Sequence, residues 1–382
     1  MEPKNQHSGL ISGDRLLALD ALRLAASLIV FVQHFFIIFA IPRNHILTSG
    51  ILDAKGAVTL FFVLSGYVLS ISLSRAQPSL GSYFSFGIRR AFRIYPVYWF
   101  ALGLSSFVLF WIYSNGNLVV PGEMGASFLL GKGIQLKQWL LQTTLLAPGM
   151  KSDFAIPPVW TLMTEAKIAI VFPFLIWFLF RTNLTVACLI LAVLVFGSGW
   201  LEEHVVGTAA ILGQFGIGAM IHRLPAKIWN KFNLYGWLAF IALSVLLYSC
   251  VSYRYVISNH WISYYLCAFG SAGFIIIASH CPFVRMRLDS VQRKLKYDIS
   301  YGMYILHYPI MIGLCKLNAD DRLTSPLWVL FIITLLGVTS IALLLHHMIE
   351  MPAVVFARSL TKSFTPSRNI TPNNLDSKKT SL

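Results

Sequence analysis

About ten stretches of roughly twenty predominantly apolar residues run the length of this chain, and that is what an α-helix needs to cross a bilayer core about 30 Å thick. They are expected from Ala18 to Ile41, Ala57 to Ser74, Val97 to Tyr113, Val159 to Phe180, Leu184 to Leu201, Val205 to Ile221, Tyr235 to Tyr253, Trp261 to Ser279, Ser300 to Cys315 and Pro326 to Ile349. Of the 382 residues, 57% are hydrophobic and 12% charged, too few charges to clothe a soluble surface. The expected fold is all-α: a polytopic integral membrane protein with about ten transmembrane helices in one bundle, and the lipid bilayer as its surroundings.

A formal charge of +15 would suit a nucleic-acid partner, but the cations follow membrane topology instead. With a cytoplasmic N-terminus, twenty Lys and Arg residues fall on the cytoplasmic side and eight on the other, with Arg23 and Lys167 inside helices. Positive charge on short loops sets orientation, so both termini are expected in the cytoplasm and no nucleic acid is expected as a partner. Residues 1–17 then form a cytoplasmic N-terminal segment, 18–357 the membrane domain, and 358–382 a disordered cytoplasmic tail rich in Ser, Thr, Asn, Pro and Lys. The first apolar run reads as a retained helix rather than a removable signal peptide, because it lacks a small-residue cleavage site and carries Asp20, Arg23 and His34. The five cysteines show no paired spacing, and neither a disulfide nor a metal site is expected. The glycine-containing outer loop from Ser114 to Pro158 is long for a connection, a length typical of functional or disordered segments.

A charge in mid-bilayer costs about 2.5 to 3.5 kcal/mol even on the permissive insertion scale, so ionisable residues within the spans are functional candidates. Asp20 and Arg23 lie three apart, and His34 follows eleven residues after Arg23. At about 100° per residue, eleven steps return to within roughly 20° of the start, so Asp20, Arg23, Ser27 and His34 share one face, with about 16 Å of rise from Arg23 to His34. Two readings fit this stripe. In one, Asp20 and Arg23 neutralise each other and His34 packs against a neighbouring helix. In the other, His34, whose ordinary pKa lies nearest physiological pH, is a general base.

Ser65 beside Gly66 lacks the G-x-S-x-G elbow of a nucleophile, and small residues in membrane helices let helices pack closely. Arg89 and Arg93 lie four apart and, with Arg90, form a cluster that suits phosphates, although topology and lipid headgroups explain such a cluster equally. Glu165 lies two residues before Lys167; a local ion pair is the simple account, but positions two apart do not face each other on a helix. Tyr301, Tyr304 and His307 recur every three residues and form a slowly turning polar face that also fits interfacial anchoring. Glu350, next to Met351-Pro352, ends the last span, and the adjoining His346 and His347 point apart rather than making a metal pair.

Six segments, taken together, resemble the membrane-bound acyltransferase-3 family: Leu19-Asp20-Ala21-Leu22-Arg23 leading to His34; Leu60-Phe61-Phe62-Val63-Leu64-Ser65-Gly66-Tyr67; Arg89-Arg90-Ala91-Phe92-Arg93-Ile94-Tyr95-Pro96; Trp160-Thr161-Leu162 leading to Glu165; Ser300-Tyr301-Gly302-Met303-Tyr304 leading to His307; and Ile349-Glu350-Met351-Pro352. Their order and spacing cover nearly the whole chain. The resemblance implies a domain of about ten helices that uses acyl-CoA, most commonly acetyl-CoA, to modify envelope glycans, peptidoglycan or small metabolites from the bacterial inner membrane. Arg23 and His34 match the family's arginine-to-histidine pair, and Arg89, Arg90 and Arg93 match the arginines assigned to acyl-CoA. Where relatives often carry an acidic residue before the Leu-Phe-Phe run, this chain has Thr59. It also lacks the appended hydrolase-like domain of some relatives, so a second transfer step on the same polypeptide is not expected.

The resulting expectation is an acyl-CoA-dependent O-acyltransferase whose acceptor is an envelope glycan or lipid-linked glycan, such as lipopolysaccharide O-antigen, capsule or exopolysaccharide. His34 serves as base, Arg23 and the Tyr304 hydroxyl stabilise the oxyanion, and Asp20, Glu165 and His307 complete the catalytic set, with a transient acyl-histidine as a variant. The rival class is a transporter of a glycolipid or small acid that uses the same buried charges without acyl chemistry.

Overall fold

A computed structural model describes residues 14–41, 50–74, 78–114, 136–147, 155–202, 208–252, 260–319 and 325–364. Most of the expected N-terminal segment, much of the long loop between Ser114 and Pro158, and the tail from 365 onward lie outside the described residues. All regular structure among the described residues is helical. In chain order the α-helices are α1 (Asp14–Ile38), α2 (Ala54–Ser74), α3 (Leu80–Ser114), α4 (Leu136–Gln142), α5 (Val159–Arg181), α6 (Leu184–Glu202), α7 (Thr208–Arg223), α8 (Leu234–Ser249), α9 (His260–His280), α10 (Pro282–Leu295), α11 (Ser300–Ala319), α12 (Leu327–Leu345) and α13 (Met351–Leu360).

Each of the ten expected apolar segments corresponds to a helix. Among the described residues, six helical stretches meet the length and composition needed to cross a membrane: Leu17–Ile38, Ala54–Ser74, Leu80–Ser114, Val159–Arg181, Trp261–His280 and Leu327–Phe364; α6 and α8 contribute shorter apolar helices. The protein is therefore a multi-pass helical membrane protein.

Two boundaries expected at prolines differ from expectation. The third span was expected to begin after Pro96, yet α3 runs unbroken through it from Leu80. A proline inside a helix removes one backbone bond without ending the helix when neighbouring groups absorb the kink. The last span was expected to end at Ile349 before Glu350. Instead a π-helical turn, His346–Glu350, carries the chain from α12 into α13, and Pro352 falls in the first turn of α13, where a missing N–H costs little.

The packing forms two apolar cores that meet along α1. Ala18, Leu19, Ala26 and Val30 belong to the core built with α2, α5, α7 and α9. Phe31, Phe35 and Ile38 belong to the core built with α3, α11 and α12. The closest crossing is α2 on α7, where a Cβ added to Gly66 would overlap the carbonyl oxygen of Phe215, and one added to Gly218 would overlap that of Val63. Gly66 is thus a packing residue, as its small size indicated. The first core holds α2 rigidly against α5 and α7, while the second holds α11 against α1; the polar residues lie on the seam between them.

Candidate active site

The polar stripe of α1 faces α11. The Ser27 hydroxyl donates to the backbone oxygens of Arg23 (3.1 Å) and Ser300 (2.9 Å), and seven residues further along both helices His34 meets His307. At the near end of the stripe, an Arg23 guanidinium nitrogen lies 2.6 Å from the Asp20 carboxylate and 3.6 Å from that of Asp298. Asp298 is also 3.5 Å from Arg93 of α3. Two carboxylates and two guanidiniums therefore form one balanced chain across α1, α3 and the α10–α11 turn, which offsets the cost of removing charge from water.

Asp298 does not appear among the residues expected from the sequence. Lys296 adopts a left-handed φ of 64° and closes α10, which turns the chain so that Asp298 caps α11. Its Oδ1 accepts from the Ser300 hydroxyl (2.5 Å) and backbone N–H (3.2 Å). Burial pushes the Asp298 carboxyl up, but Arg23, Arg93 and the two Ser300 bonds outweigh burial and hold it below the ordinary carboxylate range. The only signal in the sequence was an acidic residue two before a helix start, a pattern that most often marks an ordinary cap.

The arginine cluster of α3 divides. Arg90 turns inward and pairs with Glu165 of α5, which also accepts from the Ser65 hydroxyl at 3.2 Å. Glu165 is thus tied to α3 and α2, and Lys167 is exposed on the other side of α5, as the two-residue spacing required. Arg89 and Arg93 remain exposed on one face of α3 and present two guanidiniums near the Asp298 turn. At the C-terminal end of α12, buried His346 donates from Nδ1 to the Glu350 carboxylate at 3.0 Å, and His347 points out to the exposed surface.

The turning face of α11 distributes its residues among three helices, because three steps of about 100° fall about 60° short of a full turn. The Tyr301 hydroxyl donates to the Ile94 oxygen of α3 at 2.8 Å. The Tyr304 hydroxyl lies 2.8 Å from that of Thr161 and 3.3 Å from the Pro158 oxygen at the start of α5. His307 reaches α1, with its Nε2 3.3 Å from the Nδ1 of His34.

The carbonyl partners assign the tautomers of this pair, since a carbonyl oxygen only accepts. His34 Nδ1 lies 2.9 Å from the Val30 oxygen and His307 Nδ1 3.2 Å from the Met303 oxygen, so each Nδ1 carries the hydrogen. His307 Nε2 then accepts a share of the His34 Nδ1–H, and His34 Nε2 keeps its lone pair. His307 is fully buried, whereas His34 retains partial exposure. Among the described residues no three His, Cys, Asp or Glu side chains converge as metal ligands, and the five cysteines are free thiols.

A helical membrane bundle with a polar row through its seam, a buried histidine pair along it and exposed guanidiniums at one end has the parts of a membrane-embedded group-transfer enzyme. The chain matches the family model for the acyltransferase-3 acyltransferase domain over residues 16–347 and belongs to that family. It is an enzyme that transfers acyl groups to a hydroxyl. No curated protein and no solved structure matches the chain significantly.

Proposed function

We propose that this enzyme moves an acyl group, acetyl being the one favoured by the family resemblance, from cytoplasmic acyl-CoA to a hydroxyl of an envelope carbohydrate such as O-antigen, capsule or exopolysaccharide, free or lipid-linked. The observation that carries this reading is the state of His34: Nδ1 is held by Val30 and His307, and the Nε2 lone pair is left for an acceptor hydroxyl. As the hydroxyl oxygen attacks the thioester carbonyl, its proton passes to His34 Nε2. Collapse of the tetrahedral intermediate breaks the C–S bond, and the departing thiolate takes the proton back from the imidazolium. The Tyr304 hydroxyl is the oxyanion donor in this scheme, with His307 steadying the charged His34.

Arg89 and Arg93 hold the phosphates of coenzyme A, because their guanidiniums are exposed while Arg90 is committed to Glu165. Arg23, about 16 Å of helix rise from His34, acts at this donor end, where it is paired with Asp20 and holds Asp298, which in turn holds Arg93. The pantetheine arm of the donor is long enough to carry the thioester from there towards His34. In this reading the four remaining helices at expected apolar segments, α6, α7, α8 and α11, also cross the bacterial inner membrane. The topology then has ten spans and both termini in the cytoplasm, in accord with the distribution of Lys and Arg.

The test is the ester-linked acyl content of envelope glycans, by mass spectrometry before and after mild alkali, in cells with wild-type protein or His34→Ala at matched membrane levels. Loss of an alkali-labile acyl mass in the variant is expected and names both acyl group and acceptor. An unchanged profile, with the variant fully functional in the cell, would remove His34 from the chemistry and favour transport or a small-molecule acceptor.

A further inference from the structure

The N-terminal turns of α2, α5, α7 and α9 surround a cavity of about 190 Å³. Its lining includes Phe62, Trp160 and Trp261 together with Lys55, Thr59 and Gln214. Lys55 and Trp160 are exposed at its mouth, while Thr59 and Gln214 are 2% and 3% exposed and form its floor. Thr59 donates to the Lys55 backbone oxygen at 3.0 Å, but the Gln214 amide oxygen is buried without a hydrogen-bond partner. An unpaired buried amide is costly to keep, and native proteins keep few of them. Gln214 lines a cavity, so a ligand hydroxyl can satisfy it.

Size and chemistry narrow the occupant. Sites for drug-sized ligands run to roughly 300–1,000 Å³, so this cavity takes a single ring rather than coenzyme A. A lipid acyl chain brings no donor for Gln214, whereas a pyranose offers hydroxyls at its edge and a C–H face for indole and phenyl rings. The cavity also adjoins the catalytic row. Phe62 lines it while Phe61 packs on Tyr304 with ring centroids 5.5 Å apart, and Trp160 lines it while Thr161 meets the Tyr304 hydroxyl at 2.8 Å. Gln33, next to His34, accepts from the Ala54 N–H at the start of α2 at 2.5 Å, which puts His34 at the same end of the bundle.

We propose that this cavity is an acceptor subsite that holds one sugar ring of the glycan, its C–H face on Trp160 and Trp261 and its hydroxyls on Gln214, while a hydroxyl elsewhere in the glycan is acylated at His34. In the orientation proposed above, the cavity opens on the outer side, where the glycan is found. Acylation of the bound glycan rests on the acyl-transfer reading; sugar binding does not.

Full-length protein in palmitoyl-oleoyl phosphatidylglycerol nanodiscs is titrated with the methyl glycosides of glucose, galactose, rhamnose and N-acetylglucosamine. Because the chain has ten tryptophans, binding is read as the fluorescence difference between wild type and Trp261→Phe. A saturable change with at least one glycoside is expected, weakened about tenfold in Gln214→Leu, the effect of one lost hydrogen bond. Gln214→Leu keeps or raises Tm, because it removes the unpaired amide, so weaker binding in that variant is not a folding defect. In acetyl transfer to the best glycoside, the same variant raises the acceptor KM about tenfold and leaves the acetyl-CoA KM unchanged.

No saturable response to any glycoside, or equal affinity in Gln214→Leu, overturns the sugar site. So does quenching of the Trp261 signal by lipids with brominated acyl chains together with silence towards glycosides, which assigns the cavity to lipid. Binding without acetyl transfer from acetyl-CoA sinks the acyl-transfer reading and leaves the sugar site standing. Transfer that is indifferent to Gln214 does the reverse.

Discussion

His307 Nε2 lies 3.3 Å from His34 Nδ1, so the hydrogen on the His34 ring sits on Nδ1 and its Nε2 keeps a lone pair. The two imidazoles meet with ring centroids 4.9 Å apart, and their carbonyl partners orient both rings in the same sense. In the mechanism proposed above, a base held in this tautomer needs no rearrangement before it accepts a proton.

Replacement of His34 by alanine is expected to lower acyl transfer by about 10²- to 10⁴-fold, the range of a lost general base. Replacement of His307 by phenylalanine keeps a ring in the buried site and removes the acceptor for His34 together with its own bond to Met303, so kcat falls about tenfold with both KM values unchanged. Steady-state kinetics in detergent distinguish the two. Equal losses in both variants would contradict the division of roles.

Arg89→Ala and Arg93→Ala are each expected to weaken coenzyme A binding about tenfold by calorimetry, and the affinity of wild type should fall with added salt because both side chains are exposed. Arg90→Ala should act on stability instead, because its partner Glu165 is left without a counter-charge. If all three lose binding equally while Tm is unmoved, the assignment of Arg90 to the interior is wrong.

Asp298 contributes to stability with a defined sign. Its carboxyl, pushed up by burial and held down more strongly by Arg23, Arg93 and Ser300, lies below its ordinary value in the folded protein. A group lowered on folding stabilises the native state above its unfolded pKa, about 3.9, and loses that contribution as pH falls through the folded value. The Tm gap between wild type and Asp298→Asn is therefore full near neutral pH and closes below about pH 4. A gap that widens on acidification would contradict the ion chain.

Glu165→Gln should cost about 3 kcal/mol, the low end for breaking a buried pair, since 22% of the Glu165 side chain remains exposed. Lys167→Ala should cost nothing measurable. Gly66→Ala should lower Tm in detergent as well, because the added methyl meets the Phe215 carbonyl and forces α2 away from α7. Thermal melts of the three variants check this order.

Along single helices, the sequence by itself determined a great deal. Ten apolar segments marked ten helices because length and composition set what the bilayer accepts, and the stripe Asp20, Arg23, Ser27 and His34 followed from the period of one helix. The boundaries at Pro96 and Pro352 were not legible, since a proline's effect depends on what surrounds the freed backbone groups. Nor were the partners. Glu165 joins Arg90 across 75 residues instead of Lys167 beside it, and His34 joins His307 across 273. Asp298 and Gln214 stood outside the expectations from sequence, because only the fold brings Arg23 and Arg93 to the one and closes four helix ends around the other. Periodicity fixes which face of a helix is polar but carries no information on which other helix that face will meet. Close packing between α1 and α11, and between α2 and α7, decided that, because it brings side chains from distant parts of the chain within bonding distance.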